Sequence, residues 1–317
     1  MHYPNKLLDI ETGRQFKQLT IFEDPNLHQI LNTAIDKILT LRKSENDKYA
    51  IEFPKELADR IPKKVRENTS RELTGSEVRT LTAIVSLAQK KQNELKLYNE
   101  IDRAYLSFTL SEFFNECGIK KNKSGKFNPK DKKNFIDSLL GLHYREFLIP
   151  VPKMDKNGKE RISIDIRRLV EIHNIDLGNL EDNFREKDHL YKITIDSSFF
   201  NFERKQNTYF ELPSDLNKRL RKVTVGRQNI GVELFIKCLH QSYQLSKNTG
   251  KSVVEYTYEK LEEIMRLYRY KAIGQHGRIT PTIIKAFTTA QKLGLIESWE
   301  ESRSKWGGKK YILYLNT

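Results

Sequence analysis

The sequence predicts an α+β chain in which one unit of helix, short strand, helix, helix and β-hairpin occurs twice, behind an N-terminal helical extension. Three observations predict it. Apolar residues recur at helical spacing in several long segments, while short runs between them alternate or are rich in β-branched and aromatic residues. The elements of residues 76–152 return in the same order at 224–300, at a constant offset of 148. Basic loops interrupt both copies at the same place, 118–130 and 266–278. With 317 residues the chain also exceeds what one hydrophobic core usually organises. The expected division is an extension over 1–70, a first domain over 71–170, a connecting buttress over 171–208 and a second domain over 209–317.

In the first copy a helix is expected over 74–96, opened by Thr74 with Glu77 at capping-box spacing. Ile84, Leu87, Ala88 and Leu95 form its apolar stripe. A strand over 104–108 runs into Thr109, which can cap a helix over 110–117, with Glu112 again at capping-box spacing and Gly118 as terminator. Asn128-Pro129 starts a helix over 130–142 whose Phe135, Leu139 and Leu142 face inward. Strands 146–152 and 160–166 close a hairpin around the Asn157-Gly158 turn signal.

In the second copy a helix over 227–246 carries Val232, Phe235, Ile236, Leu239 and Tyr243 on one side. A strand over 252–256 and a helix over 258–267 follow. Thr280-Pro281 starts a helix over 281–293, Gly294 ends it, and strands 295–300 and 309–315 form the hairpin. Between the copies lie a helical piece at 167–172, the strand LYKITID at 190–196 and YFELPSDLNKRL at 209–220. This connection is too rich in Leu, Ile, Phe and Tyr for a flexible tether, so it is expected to hold the copies in a fixed relation. The extension contains one good helix, 26–42, and Phe53-Pro54 and Ile61-Pro62 break up anything longer.

That order of elements is the order of a winged helix, whose third helix can enter the DNA major groove with the hairpin beside it on the phosphates. The expected fold is therefore two winged-helix domains related by an internal duplication.

Charge points the same way. Lys and Arg number 56 against 42 Asp and Glu, a net +14, which suits a polyanionic partner. The excess is uneven. Residues 1–70 nearly cancel at 12 against 11, whereas 118–135 hold seven Lys and one Asp, and 266–278 and 303–310 hold four basic residues each and no acid. Each cluster taken singly is also what a solvated loop looks like, and only their equivalent placement argues for function.

Several classes find no support. No apolar run of about 18 residues exists to span a membrane, and the opening residues lack a signal core, so a cytoplasmic location is expected. Two cysteines, Cys117 and Cys238, make neither a disulfide framework nor a protein-only zinc site. There is no P-loop, no His-hydrophobe-His pair and no Asp-x-Asp, and the seven histidines are scattered. No catalytic residue, metal ligand or cofactor is expected, and a nicking or priming enzyme lacks its constellation.

The candidate reading face lies on the helix over 281–293. With Ile283, Phe287 and Ala290 inward, helical spacing turns Thr282, Lys285 and Thr289 outward, with Thr280 and Arg278 at the start. The preceding loop adds Arg269, Lys271, Gln275 and His276, and the hairpin adds Lys305, Lys309 and Lys310 as backbone clasps. In the first copy Lys130, Lys133 and Asn134 face outward on the corresponding helix. Lys120, Lys121, Lys123 and Lys126 in its loop suit phosphate attraction better than base reading. If both helices face one side of the duplex, one chain covers about 20 base pairs.

These segments resemble the plasmid replication initiators built from two winged-helix domains. LTGSEVRTLTAIVSLAQK (73–90) looks like the first core helix of that family's N-terminal domain, FTLSEFFNECGI (108–119) like its second helix, and FELPSDLNKRL (210–220) like the lead-in to the second domain. The likeness covers about 70–317, while the long lysine-rich loop at 118–129 and residues 1–70 depart from it. The resemblance implies binding to repeated double-stranded origin sites, with homodimers as repressors and the host initiator and replicative helicase machinery as partners. A tandem winged-helix transcription regulator is the alternative reading, and an autorepressing initiator would combine the two.

Overall fold

The computed structural model describes residues 1–12, 40–43, 49–52, 73–91, 96–97, 103–145, 147–154, 160–176, 189–196, 209–224, 228–305 and 307–316. Residues 26–39 of the helix expected over 26–42, the proline breaks at 53–62 and the turn at 155–159 lie outside these residues. The chain opens with strand β1 (His2–Pro4) and helix α1 (Asn5–Thr12), whose Leu7, Leu8 and Ile10 are buried. Strands β2 (Thr40–Lys43) and β3 (Tyr49–Glu52) pair as an antiparallel hairpin. Residues 40–42, expected as the end of a helix, are thus strand. A neighbouring strand satisfies their backbone instead of the next helical turn.

Helix α2 (Gly75–Lys90) starts where its cap predicts: the Glu77 N–H donates to the Thr74 hydroxyl and the Thr74 N–H to the Glu77 carboxylate. It ends at Lys90, short of the expected 96. After β4 (Lys96–Leu97) comes β5 (Arg103–Thr109), which alternates half-exposed and buried residues. Thr109 and Glu112 repeat the capping box at α3 (Leu110–Glu116). Helix α4 (Pro129–His143) is capped by Asn128 and buries Phe135, Leu139 and Leu142, packing against α2. Strands β6 (Phe147–Met154) and β7 (Glu160–Arg167) form the expected hairpin.

The helical piece expected over 167–172 is absent. Residue 167 ends β7, and β8 (Val170–Asp176) is a strand paired with β9 (Leu190–Asp196), the LYKITID segment. Val170 and Ile172 are β-branched, and a partner strand decides their conformation against a weak local helical pattern. The other partner of β9 is β5, which completes a sheet of order β4-β5-β9-β8.

The second half begins with β10 (Tyr209–Glu211), which pairs with β1, and α5 (Leu216–Val223). Helix α6 (Ile230–Thr249) follows, then β11 (Val253–Thr257). The helix expected over 258–267 ends early, as α7 (Tyr258–Ile264), and the stretch expected as a basic loop holds a short helix of its own, α8 (Tyr268–Ala272). The break is Arg266, at φ +54°, with the Leu267 N–H bonded back to the Glu262 carbonyl. A 3-10 turn, His276–Arg278, runs into α9 (Ile279–Lys292). The helix therefore starts before the expected Thr280-Pro281. Pro281 still falls within its first turn, where a missing N–H costs no bond. Strands β12 (Ile296–Arg303) and β13 (Lys309–Leu315) complete a sheet of order β11-β13-β12. Phe287 of α9 centres this half's core, its ring 5.4 Å from Phe235, 5.2 Å from Trp299 and 5.2 Å from Tyr311.

The halves share an element order and differ in strand pairing. In the second, β11 pairs with hairpin strand β13; in the first, β5 pairs with β9, and β6–β7 is a separate two-stranded sheet.

Buried polar contacts tie the halves together. Arg79 of α2 grips Glu233 of α6, with Nε 2.9 Å from both oxygens and Nη2 2.6 Å from one. Asn217 of α5 donates to the carbonyls of Arg79 and Glu116 at 3.2 and 3.0 Å. Lys237 of α6 donates to both Glu11 oxygens of α1 at 2.7 Å. The Arg266 guanidinium donates to the Leu73 carbonyl at 2.7 Å and to the Glu11 carbonyl. Arg266 thus holds a left-handed backbone that normally favours glycine, while its side chain joins three segments distant in sequence. The first twelve residues of the expected extension belong to this shared core.

Candidate nucleic-acid interface

Helix α9 sends Ile283, Ala286, Phe287 and Ala290 wholly into the core, as the stripe predicts. Its buried side is wider than that stripe. Thr282 and Thr289, expected outward, are only 8% and 4% exposed. Their hydroxyls donate to the carbonyls of Arg278 and Lys285, each at 2.7 Å, so the polar atom is satisfied within the helix and the residue packs as an apolar one. Of the expected trio only Lys285 reaches the surface, and it is half-buried. The outer face consists of Pro281, Ile284, Lys285, Thr288 and Lys292, spaced three or four apart. Thr280 is exposed at the first turn.

Just before the helix, Gln275, His276 and Arg278 are exposed and Arg269 is half-buried. Lys271 is held 2.7 Å from Glu262, and that bond raises its pKa. On the hairpin, Lys305 is exposed, while Lys309 sits 2.7 Å from Glu301 and Lys310 3.0 Å from Glu255. Both acceptor carboxylates are 55% exposed, so each pair contributes little, about 0–1 kcal/mol. A phosphate can take over either lysine at small cost.

In the first half Lys120, Lys121, Lys123 and Lys126 are exposed, as expected. Their loop has a defined turn: Asn122 Oδ1 accepts from the N–H and hydroxyl of Ser124 and from the Lys126 N–H. Lys121 Nζ lies 5.0 Å from the centre of the Phe127 ring. On α4, Lys130, Lys133 and Asn134 are exposed and share their face with Asp137, Leu140 and Tyr144. The cationic end of that face is its N-terminal part, where the helix dipole also favours anions.

Helix α5 lies between the two sets. Its Arg221 reaches Asp131 in the first turn of α4 at 2.6 Å and the Gly118 carbonyl at 3.3 Å. The far end of α5, Val223 with Thr224, borders the outer face of α9, and a groove of about 510 Å³ runs between them. One helix therefore touches both candidate reading elements. Lys218 and Lys222 on it are exposed cations that the sequence reasoning passed over. Pro281, Ile284, Thr288 and Lys292 also share one helical face by their spacing, but an apolar Ile284 marks such a face as core as readily as surface.

Cys117 and Cys238 are both buried, and burial pushes the Cys117 thiol well up. Among the described residues no group of three His, Cys, Asp or Glu is placed to hold a metal ion, and no helix is long and apolar enough to cross a membrane. Compared with known proteins, the chain matches no family model and no curated sequence.

Proposed function

We propose that the chain is a sequence-specific double-stranded DNA-binding protein that initiates plasmid or phage replication by binding repeated origin sites. The observation that carries the DNA part is α9. It has one wholly buried side, a second side bearing Lys285 and Lys292, Arg278 at its start, and a three-stranded sheet beside it whose hairpin presents Lys305, Lys309 and Lys310. Helix, strand, helix, helix and hairpin with the strand order β11-β13-β12 is how a winged helix presents a reading helix. The exposed cations of the 118–130 loop and of α4 give the first half a phosphate-binding surface of its own. The resemblance of 73–90, 108–119 and 210–220 to tandem winged-helix initiators adds the replication role, with the host initiator and helicase machinery as partners.

Two measurements test this. With about six to eight phosphates contacted, log K should fall against log salt with a slope of about −5 to −7, and a slope near zero on any duplex refutes DNA binding. A footprint on the DNA flanking its own gene should show tandem protected repeats of about 20 base pairs. Five base pairs inserted at the centre of one repeat should nearly abolish binding, because α5 holds the halves in one relation. A single promoter-proximal site without repeats would favour a regulator over an initiator.

A further inference from the structure

Resting on the DNA-binding reading above, we infer that α9 recognises thymine through its C5-methyl group, with Ile284 as the central contact. A reading helix discriminates bases with bidentate donors and acceptors or with apolar contacts. Lys285 and the Thr288 hydroxyl aside, the outward middle of α9 offers the second kind. Its sequence, ITPTIIKAFTTAQK, contains no Asn or Arg, and its one Gln, Gln291, donates its amide to the Glu297 carbonyl at 3.1 Å. Two of its threonines are buried with their hydroxyls bonded to the helix's own carbonyls. What remains at the centre is Pro281, Ile284 and the methyl of Thr288, facing Val223 across the groove. Lys285 and Lys292 border this carbon surface.

An apolar strip with cations along it fits the edge of a thymine run, where methyl groups project into the major groove and the phosphates lie to either side. Where thymine carries its methyl, adenine and guanine present the N7 acceptor and cytosine only a C–H. Against Ile284 a purine N7 would lose water without gaining a partner, and cytosine would leave the contact one methyl short. Base-edge hydrogen bonding falls to Arg278 at the helix start and Lys285 beside the strip, so the half-site should combine guanine-reading positions with a thymine-reading centre.

The test begins with selection of binding duplexes from a pool randomised over 25 base pairs, using the full chain. The enriched duplexes are then remade with deoxyuridine for thymidine, which removes only the methyl. One buried methyl is worth about 0.8 kcal/mol, which converts to about fourfold in affinity per contacted thymine and about fifteenfold for two. Ile284→Ala should shrink the uracil penalty to less than twofold, and Ile284→Val should keep most of it. Circular dichroism and thermal unfolding of each variant show that it is folded. Equal affinity for thymine and uracil duplexes, or an undiminished penalty in Ile284→Ala, overturns the inference while leaving sequence-specific binding in place. A pool from which nothing is enriched overturns both this inference and the reading beneath it.

Discussion

Substituting Lys237 isolates what joins the N-terminal segment to the rest of the chain. Its ammonium donates to both Glu11 oxygens at 2.7 Å and to the Tyr3 hydroxyl at 2.9 Å, and lies 4.5 Å from the centre of the Tyr3 ring. The side chains of Lys237 and Glu11 are 2% and 0% exposed. Burial raises the Glu11 carboxyl pKa and lowers that of the Lys237 ammonium, and mutual attraction only partly offsets either effect. The pair is therefore costly to break and contributes little net stability by existing. Lys237→Met leaves a buried carboxylate with the Tyr3 hydroxyl as its hydrogen-bond partner and Arg266 as the nearby cation, and should cost about 3–5 kcal/mol. At about 2.1 cal/mol/K per residue, a chain of 317 residues loses about 0.7 kcal/mol for each degree, so Tm should fall by about 4–7 °C. The double variant Lys237→Met with Glu11→Leu removes both charges and should recover most of that loss or exceed the parent. Thermal and urea unfolding of the four proteins in this cycle give the coupling directly. A single variant within 1 kcal/mol of the parent, or a double variant as unstable as the single, refutes the reasoning.

Arg278→Ala with Lys285→Ala should narrow the gap between cognate and random DNA by about 1–3 kcal/mol per lost base contact. Lys121, Lys123 and Lys126 changed to Ala should weaken both DNAs alike and flatten the salt slope by about 0.9 per lost phosphate contact. Gly118→Ala should destabilise more than Gly250→Ala. Both positions have left-handed backbone, at φ +75° and +68°, but a Cβ at Gly118 falls 2.9 Å from the Asn217 backbone whereas at Gly250 it meets open space. The open site should cost about 1 kcal/mol and Gly118 measurably more in urea titrations. His240 has its pKa lowered to about 4, by burial first and then by Arg219 and the chain's amino terminus. The folded state holds it neutral while the unfolded chain protonates it near 6.5. Its contribution is therefore complete above pH 6.5, shrinks as pH falls from there to about 4, and costs at most about 3 kcal/mol. His240→Gln should flatten the stability profile in that window, and an unchanged profile would show that the imidazole is accessible to protons in the fold.

By itself the sequence determined several helix ends whose signal is local. The Thr74–Glu77 and Thr109–Glu112 boxes, Asn128-Pro129, Gly118 and Gly294 act within one helical turn, and each stands where its chemistry predicts. The exposed lysines of the 118–130 loop were legible for the same reason, since a run so rich in charge has nowhere to go but water. Tertiary structure decided whatever depends on a partner far along the chain. Val170–Asp176 became strand because β9 lies beside it. Asp9 and Glu11 look like surface residues of a polar helix, yet both are buried, and the Glu11 carboxyl finds its ammonium partner, Lys237, 226 residues away. The reading face of α9 was decided the same way. Threonine carries a methyl and a hydroxyl on one carbon, so it suits water or core equally until packing chooses. At Thr282 and Thr289 the backbone carbonyl four residues earlier takes the hydroxyl, the core takes the rest, and the outward face passes to Pro281, Ile284 and Thr288.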